Sequence, residues 1–169
     1  GLSNVATQYR DGTTVITFTT GISIEQVIGP DPRWGMLAPV VEAMTLTLPS
    51  GLQYVVEASR EAVLSDPADP FSMVTLTETT SINGRVYTLA YDVASQTFTA
   101  TTPEGRQLYT GIDIEGRVVL EQSAGLEAVH YDYDARGRLA RIVQGTGDSE
   151  RTVMLTYDSN GHLSTITDP

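Results

Sequence analysis

Tyrosine–aspartate pairs are the residues of this sequence whose types and spacing could most directly support chemistry. A phenol beside a carboxylate offers a proton donor and a base, as acid–base catalysis requires. The pairs occur four times, as Tyr91-Asp92, Tyr131-Asp132, Tyr133-Asp134 and Tyr157-Asp158. An enzyme needs one such site rather than a series, so we interpret the pairs as structural. We predict that the chain is not an enzyme and has no catalytic residues.

Other candidate sites are equally few. His130 and His162 are the only histidines and lie at different phases of the repeat described below, which argues against a shared metal or catalytic pair. Asp66 and Asp69, with Glu61 nearby, could bind calcium, but their spacing fits no EF-hand loop and Asp-Pro turns explain them. No metal site and no cofactor are predicted.

Three further features have simple structural interpretations. Trp34 could stack on a sugar, yet a lone Trp in a Pro-rich loop is more typical of a plug over a core edge. The Gly145-Thr146-Gly147 segment is too short for a phosphate loop and predicts a hairpin tip. The sequence contains no Gly-x-Ser-x-Gly segment that could present a nucleophilic serine.

The elements that hold the tyrosine–aspartate pairs repeat along the chain. Equivalent aspartates fall at 92, 113, 134 and 158, at steps of 21, 21 and 24 residues. Ile112 replaces the tyrosine before Asp113. The residues before each aspartate alternate apolar and polar, which is typical of a half-buried strand. The alternating sets are Tyr87, Leu89 and Tyr91; Leu108, Thr110 and Ile112; Val129, Tyr131 and Tyr133; and Val153, Leu155 and Tyr157.

A turn and a second strand are predicted after each aspartate. Gly116, Gly137 and Gly161 stand where a tight hairpin needs a positive φ. The aspartate is expected to accept hydrogen bonds from backbone amides two residues on, as an Asx-turn. An apolar residue follows each glycine by two positions: Val118, Leu139 and Leu163. The Tyr91 repeat lacks the glycine, having Ala94-Ser95 instead, and we expect it to be distorted.

The first half of the chain is more degenerate. Ile16, Phe18, Ile22 and Ile24 alternate through Thr20, and Met44, Leu46 and Leu48 alternate as well. Irregular loops are predicted at Gly29 to Gly35 and at Ser65 to Pro70, both rich in proline. Glu57 to Leu64 has a helical pattern but is too short for a stable helix, so we predict a strand followed by a turn.

Composition and charge limit the function classes. Thr, Val and Ile number 23, 16 and 9, and these residues favour pleated sheet. The net charge is -11 and all ten basic residues are arginine, which argues against binding nucleic acid or inserting at an anionic membrane. Cysteine is absent, so no disulfide framework is predicted. No apolar run is long enough to span a membrane, and the N-terminus has no signal-peptide pattern.

Two segments resemble the YD repeats of the Rhs family, which includes bacterial Rhs proteins, teneurins and the shell subunits of Tc-type toxins. They are Tyr131-Asp132-Tyr133-Asp134-Ala135-Arg136-Gly137-Arg138-Leu139 and Tyr157-Asp158-Ser159-Asn160-Gly161-His162-Leu163. Thr102-Pro103-Glu104-Gly105-Arg106 resembles the segment that links such repeats, and Asp31-Pro32-Arg33-Trp34-Gly35 is also similar. The resemblance implies an all-β antiparallel meander of hairpins, forming an arc of a spiral sheet.

The resemblance also implies an organisation and a role. We expect one module over residues 1–169, with degenerate repeats over 1–84 and clear repeats over 85–169. We expect a secreted or cell-surface wall segment that encloses a C-terminal toxin or cargo, with flanking repeats as partners and self-association through open sheet edges. The alternative is an extracellular module that binds protein or glycan. The predicted structural motif residues are Tyr91, Asp92, Asp113, Gly116, Tyr133, Asp134, Gly137, Arg138, Leu139, Tyr157, Asp158, Gly161 and Leu163.

Overall fold

The structure, a computed structural model, describes residues 3–168 and is built from β-strands. The fourteen strands of these residues are β1 (Val5–Gln8), β2 (Thr13–Thr17), β3 (Ser23–Asp31), β4 (Gly35–Thr47), β5 (Gln53–Leu64), β6 (Met73–Ile82), β7 (Arg85–Asp92), β8 (Thr97–Thr101), β9 (Gln107–Ile112), β10 (Val118–Ser123), β11 (Val129–Tyr133), β12 (Leu139–Gln144), β13 (Arg151–Tyr157) and β14 (Leu163–Thr167). The helical content of the described residues is one 3-10 turn, Gly147–Ser149. No helix in this part of the chain has the length and apolarity to cross a membrane.

The chain divides into two compact units. The first contains Gly1–Tyr91 with Thr102–Glu104, and the second contains Asp92–Thr101 with Gly105–Pro169. In each unit the strands are neighbours in chain order, β1 to β7 in the first and β8 to β14 in the second. Consecutive strands pair antiparallel, as β2 does with β3 and β11 does with β12. The predicted all-β class and antiparallel meander are therefore confirmed.

One local prediction for the first unit is wrong in part, and one alternating pattern is interrupted. The alternation of apolar residues around Thr20 is broken by a hairpin, because Gly21 has a φ of 82° and its N–H bonds to the carbonyl oxygen of Phe18. The loop predicted from Gly29 is shorter, since β3 continues through Pro30 to Asp31. The strand predicted at residues 57–64 is present and pairs along its whole length with β6, and a turn region follows it from Ser65. In that strand the tertiary pairing outweighs the local helical pattern.

The hairpins of the second unit follow the predicted turn chemistry. Gly116 and Gly137 have φ values of 78° and 76°, a region that a residue with a Cβ rarely adopts. In both turns the glycine N–H bonds to the carbonyl oxygen of the aspartate three residues earlier. In the repeat without a turn glycine, Gln96 takes the left-handed conformation with a φ of 52°, which is the distortion expected there.

The two faces of the second unit differ in chemistry. Residues paired across neighbouring strands share a face, so Tyr131, Ile142 and Val153 form one apolar row. The opposite face carries Asp132 and Arg141, whose carboxylate and guanidinium lie 2.6 Å apart. The alternation predicted from the sequence therefore separates an apolar face from a mixed one, which carries these charged side chains together with Val143 and Met154.

Burial is shallow in both units. Among residues 3–168, Val143 is the one hydrophobic residue that is buried, with 8% of its surface exposed, and no side chain is fully buried. The apolar positions of the strands are mostly half-buried. This is the burial expected of a sheet with no second layer packed on it, since a two-layer domain covers the apolar face of each sheet.

Candidate functional site

The aspartates of the repeats close their own turns. Asp134 Oδ1 accepts hydrogen bonds from the backbone N–H groups of Arg136 (2.8 Å) and Arg138 (3.0 Å). Asp113 does the same with Glu115 (3.0 Å) and Arg117 (2.9 Å). The Asx-turns predicted from the sequence are thus present, and each is closed further by the N–H of the residue that follows the glycine.

The second carboxylate oxygen of each aspartate binds the side chain of that same residue. Asp134 Oδ2 lies 2.8 Å from Arg138 Nε and 2.6 Å from Arg138 Nη2. Asp113 Oδ2 lies 2.7 Å from Arg117 Nε and 2.6 Å from Arg117 Nη2. In each pair two guanidinium N–H groups converge on one charged oxygen, and these charge-assisted bonds hold the guanidinium beside its own turn.

The arginine held in this way covers the tyrosine of the next repeat. The Arg117 guanidinium carbon is 4.6 Å from the centroid of the Tyr133 ring, and that of Arg138 is 4.0 Å from the centroid of Tyr157. Both distances are within the range of a cation–π contact. We call the series Asp113–Arg117–Tyr133 and Asp134–Arg138–Tyr157 the Asp–Arg–Tyr ladder.

The tyrosine hydroxyls complete the contact between repeats. Tyr133 donates to the carbonyl oxygen of Val118 at 2.8 Å, and Tyr157 donates to that of Leu139 at 2.7 Å. In each case the acceptor is the residue directly after the covering arginine. One tyrosine therefore touches the preceding repeat with its ring face and with its hydroxyl.

Two turn glycines also leave room for the arginine side chain of the preceding repeat. A Cβ placed on Gly137 would lie 3.2 Å from Arg117 Nη1, and one placed on Gly161 would lie 3.5 Å from Arg138 Nη1. Gly116 has open space at the same position. Gly137 is thus required both for its left-handed φ and for the room it leaves to the guanidinium.

The ladder lowers the pKa values of its aspartates. The Arg138 side chain, and then its backbone N–H, lower the pKa of Asp134 to about 2. Partial burial raises the pKa of Asp113, but hydrogen bonds from the Arg117 side chain and backbone outweigh it, so the net shift is downward. The carboxylates are held in the charged form, which suits a fixed ion pair rather than proton transfer near neutral pH.

The remaining predicted motif residues lie at the two ends of the ladder. Asp158 accepts from the N–H groups of Asn160 and His162, both at 2.9 Å, and His162 Nδ1 lies 3.4 Å from Asp158 Oδ2 where the other repeats have arginine. Asp92 accepts from the N–H and the hydroxyl of Ser95, each at 2.7 Å. Tyr91 lies in β7, and Leu163 opens β14 opposite Tyr157.

Sequence reasoning missed the role of the arginines. The predicted motif includes Arg138 without a role and does not include Arg117. The available signal was position: the residue after the turn glycine is Arg117, Arg138 or His162, a potential cation each time. A cation four residues after an aspartate, across a turn, is placed to bind that carboxylate.

A related arrangement occurs in the first unit, around Asp31. This aspartate is 3% exposed and accepts from the N–H groups of Arg33 (2.8 Å) and Trp34 (3.1 Å). Its second oxygen binds Arg60 of β5 at 2.9 Å, and Arg60 also pairs with Glu78. Burial raises the pKa of Asp31, but these hydrogen bonds outweigh it and the pKa is lowered. Here the arginine comes from a distant strand, which spacing alone could not indicate.

The described residues offer little to a metal ion. Within residues 3–168, no three His, Asp or Glu side chains are grouped so that they could hold one. The ladder carboxylates are occupied by arginine. What the arrangement can do chemically is to fix the geometry between successive hairpins.

Part of the ladder lies in a segment that matches a known protein family. Residues 133–169 match the family described as RHS Repeat. The match contains Asp134, Arg138 and Tyr157 of the ladder. No curated protein matches the sequence.

Two solved structures align with most of this chain at low identity. A crystal structure of TcdB2-TccC3 without its hypervariable C-terminal region aligns with 97% of this chain at 10% identity and a TM-score of 0.42. A crystal structure of TcdB2-TccC3-Cdc42 aligns with 97% of this chain at 12% identity and a TM-score of 0.43. The chain spans 12% of the length of each of these structures.

The family match and the motif residues agree in position. The segment recognised as an RHS repeat begins at Tyr133, the tyrosine that receives Arg117. It includes the second covered tyrosine, Tyr157, with the turn that follows it. The resemblance drawn from the sequence is confirmed for residues 133–169, which match the RHS Repeat family.

Proposed function

We propose that this chain is a segment of the wall of an Rhs-type shell that encloses a C-terminal toxin or other cargo, secreted by a bacterium or held at its surface. The Rhs repeats give the chain a structural role. In this proposal the Asp–Arg–Tyr ladder sets the geometry between hairpins and carries no catalysis. The flanking repeats of the same polypeptide continue the sheet.

The observation that carries the proposal is the uncovered apolar face of the second unit. Tyr131, Ile142 and Val153 form its central row, and no second layer covers that row within the described residues. A cleft of about 480 Å³ opens there, lined by Val129, Ile142 and Val153 together with Arg151. A wall needs one face toward its contents and one toward solvent, and this unit supplies two unlike faces.

The ladder supports the same role. The repeat at Tyr133 contributes Arg138 to the next tyrosine and receives Arg117 on its own, so the contact can be propagated along a series of such repeats. Stability in such repeat arrays comes from interfaces between neighbours rather than from a central core. The shallow burial of this chain agrees with that kind of stability.

The test uses the complete gene product that contains this chain. Limited proteolysis should leave the segment C-terminal to the repeats intact, and denaturant should expose it together with loss of the β-sheet signal in circular dichroism. Digestion of that segment at the rate of the isolated segment, with the repeats still folded, would refute enclosure.

A binding module for protein or glycan is the second candidate. The observation that favours it is an aromatic pair on the surface: Trp34 and Phe71 meet edge to face at 5.1 Å, and Phe71 is 82% exposed. Exposed aromatic rings are common at recognition sites. A Phe71→Ala variant that loses binding to a glycan or protein array, while its stability is unchanged, would support this function over the shell.

A further inference from the structure

An internal strand of the first unit has an unpaired stretch. β4 and β5 pair over Ala43–Thr47 and Gln53–Glu57. Beyond that point residues 58–64 of β5 pair with β6, and no strand pairs with them on the β4 side within the described residues. Antiparallel strands direct their backbone N–H and C=O groups to both sides, so part of this stretch faces outward without a strand partner.

A bulge in β4 causes the opening. Gly29 pairs with Val40, and Asp31 pairs with Gly35. Four residues of β4, 36–39, therefore lie opposite Pro30 alone. One of them is Pro39, which has no N–H to donate to a ladder. These residues stay within β4 but bulge out of its ladder with β3, and the pairing of β4 with β5 ends at Ala43 and Glu57.

The opening is a defined cleft. It has a volume of about 340 Å³, with Val40 and Val41 on one wall and Ala58, Ser59 and Arg60 on the other. Arg60 is fixed by its ion pairs with Asp31 and Glu78. An open edge held by such contacts is pre-organised, because little conformational freedom is lost when a partner binds.

The side chains along this edge define the partner. Glu57 and Glu61 are exposed and form no ion pair within the part of the chain that the structure describes, and Val63 is 57% exposed. These three residues are separated by even numbers of positions along β5, so their side chains point to the same face of the sheet. A strand laid beside residues 58–64 would lie directly next to Glu61 and Val63, and a long side chain of that strand would reach Glu57, which pairs with Ala43, diagonally at the end of the open stretch.

We propose that residues 58–64 bind an extended peptide segment of alternating basic and apolar residues by strand addition. Backbone hydrogen bonds to the β5 edge supply the affinity, and the basic side chains pair with Glu57 and Glu61. This mode of recognition adds a strand to an exposed edge and reads alternate side chains. The inference does not depend on the shell, since the edge binds such a segment whatever polypeptide carries it.

The probe is a seven-residue peptide of alternating lysine and valine, blocked at both ends. Residue-resolved amide exchange should show protection of residues 58–64 that rises as peptide is added. A peptide methylated on alternate backbone nitrogens cannot donate those hydrogen bonds and should give no such protection. Equal binding of the methylated peptide overturns strand addition.

Charge is tested with a matched pair of variants. Glu61→Lys should weaken peptide binding by roughly fivefold, the size expected of one exposed ion pair. Glu127→Lys makes the same change at an exposed site in the second unit and should leave binding unchanged. Equal effects of the two variants overturn the proposed site.

Two further outcomes of the exchange measurement would also contradict the proposal. Protection confined to β1 or β14, the outer strands of the described chain, would mean that the peptide binds another edge. Protection of residues 58–64 that increases with protein concentration in the absence of peptide would identify a second copy of the chain as the occupant.

Discussion

The Arg138 guanidinium binds Asp134 of its own turn and lies 4.0 Å from the ring centroid of Tyr157, one repeat further along the chain. The same relationship joins Arg117 to Tyr133 at 4.6 Å. A single side chain thus closes one hairpin and positions the next. This explains why aspartate, glycine, arginine and tyrosine recur together. The aspartate and glycine form the turn, the arginine binds the aspartate, and the tyrosine of the next repeat packs against the arginine.

The two turn glycines allow a matched comparison. Gly116→Ala and Gly137→Ala should each cost about 1 kcal/mol or more, because both glycines have a left-handed φ. Gly137→Ala should cost more, because its new methyl group would meet Arg117 Nη1 while that of Gly116→Ala meets open space. Urea unfolding followed by circular dichroism measures the difference. Equal losses of stability would show that the arginine moves aside freely.

The tyrosine of the ladder should contribute packing and a hydrogen bond separately. Tyr133→Ala is expected to cost about 2–3 kcal/mol, below the range for a fully buried aromatic, because the ring is half-buried. Tyr133→Phe should cost about 1 kcal/mol, the value of the bond to the Val118 carbonyl. Tyr54→Ala, at a 41% exposed site in β5, serves as control. Denaturation curves in which Tyr133→Ala matches this control would contradict the packing role.

Stability should fall in acid over a defined interval. The pKa of Asp134 is lowered from 3.8 to about 2, and the pKa values of Asp113 and Asp158 are lowered as well. A carboxyl group with a lower pKa in the folded state stabilises the fold above its unfolded pKa, and this contribution is lost as the pH falls through the folded pKa. The free energy of unfolding should therefore decrease from about pH 4 down to about pH 2.

Asp134→Asn should remove part of that acid dependence. The amide retains an oxygen acceptor for the backbone N–H groups but has no charge for Arg138. Asp148→Asn, at an exposed site on the Gly147–Ser149 turn, is the control and should leave the dependence unchanged. Urea titrations at a series of pH values compare the three proteins. An Asp134→Asn protein with the parent's full acid dependence would exclude this aspartate as its source.

Self-association through sheet edges should depend on salt. β1 and β14 are exposed along their lengths, and each has one neighbouring strand within the described residues. Exposed edges can pair with another copy. A net charge of -11 opposes this, so association of the 169-residue chain should increase as salt screens the repulsion. Light scattering across a salt series tests it; a strict monomer at high salt and high protein concentration would show that the edges are protected.

Most of the second unit could be predicted because residues close together in sequence determine its strands and turns. Alternation fixes the face of each strand, and a glycine after an aspartate fixes each turn, as at Asp134 and Gly137. The arginine contacts could not be assigned in the same way, since Arg138 reaches Tyr157 across a strand pair that the sequence does not specify. In the first unit, the pairing of β5 with β6 outweighs a helical pattern, and the bond between Arg60 and Asp31 joins residues far apart in sequence.

The central claim is that arginine couples adjacent repeats, and a double-mutant cycle on Arg138 and Tyr157 tests it most directly. Arg138→Ala, Tyr157→Ala and the double variant are compared with the parent by urea unfolding, with Arg136→Ala as a control at an exposed site on the same turn. We expect a coupling free energy of about 1 kcal/mol, the size of a partly desolvated cation–π contact. Additive effects, with a coupling free energy near zero, would contradict the account.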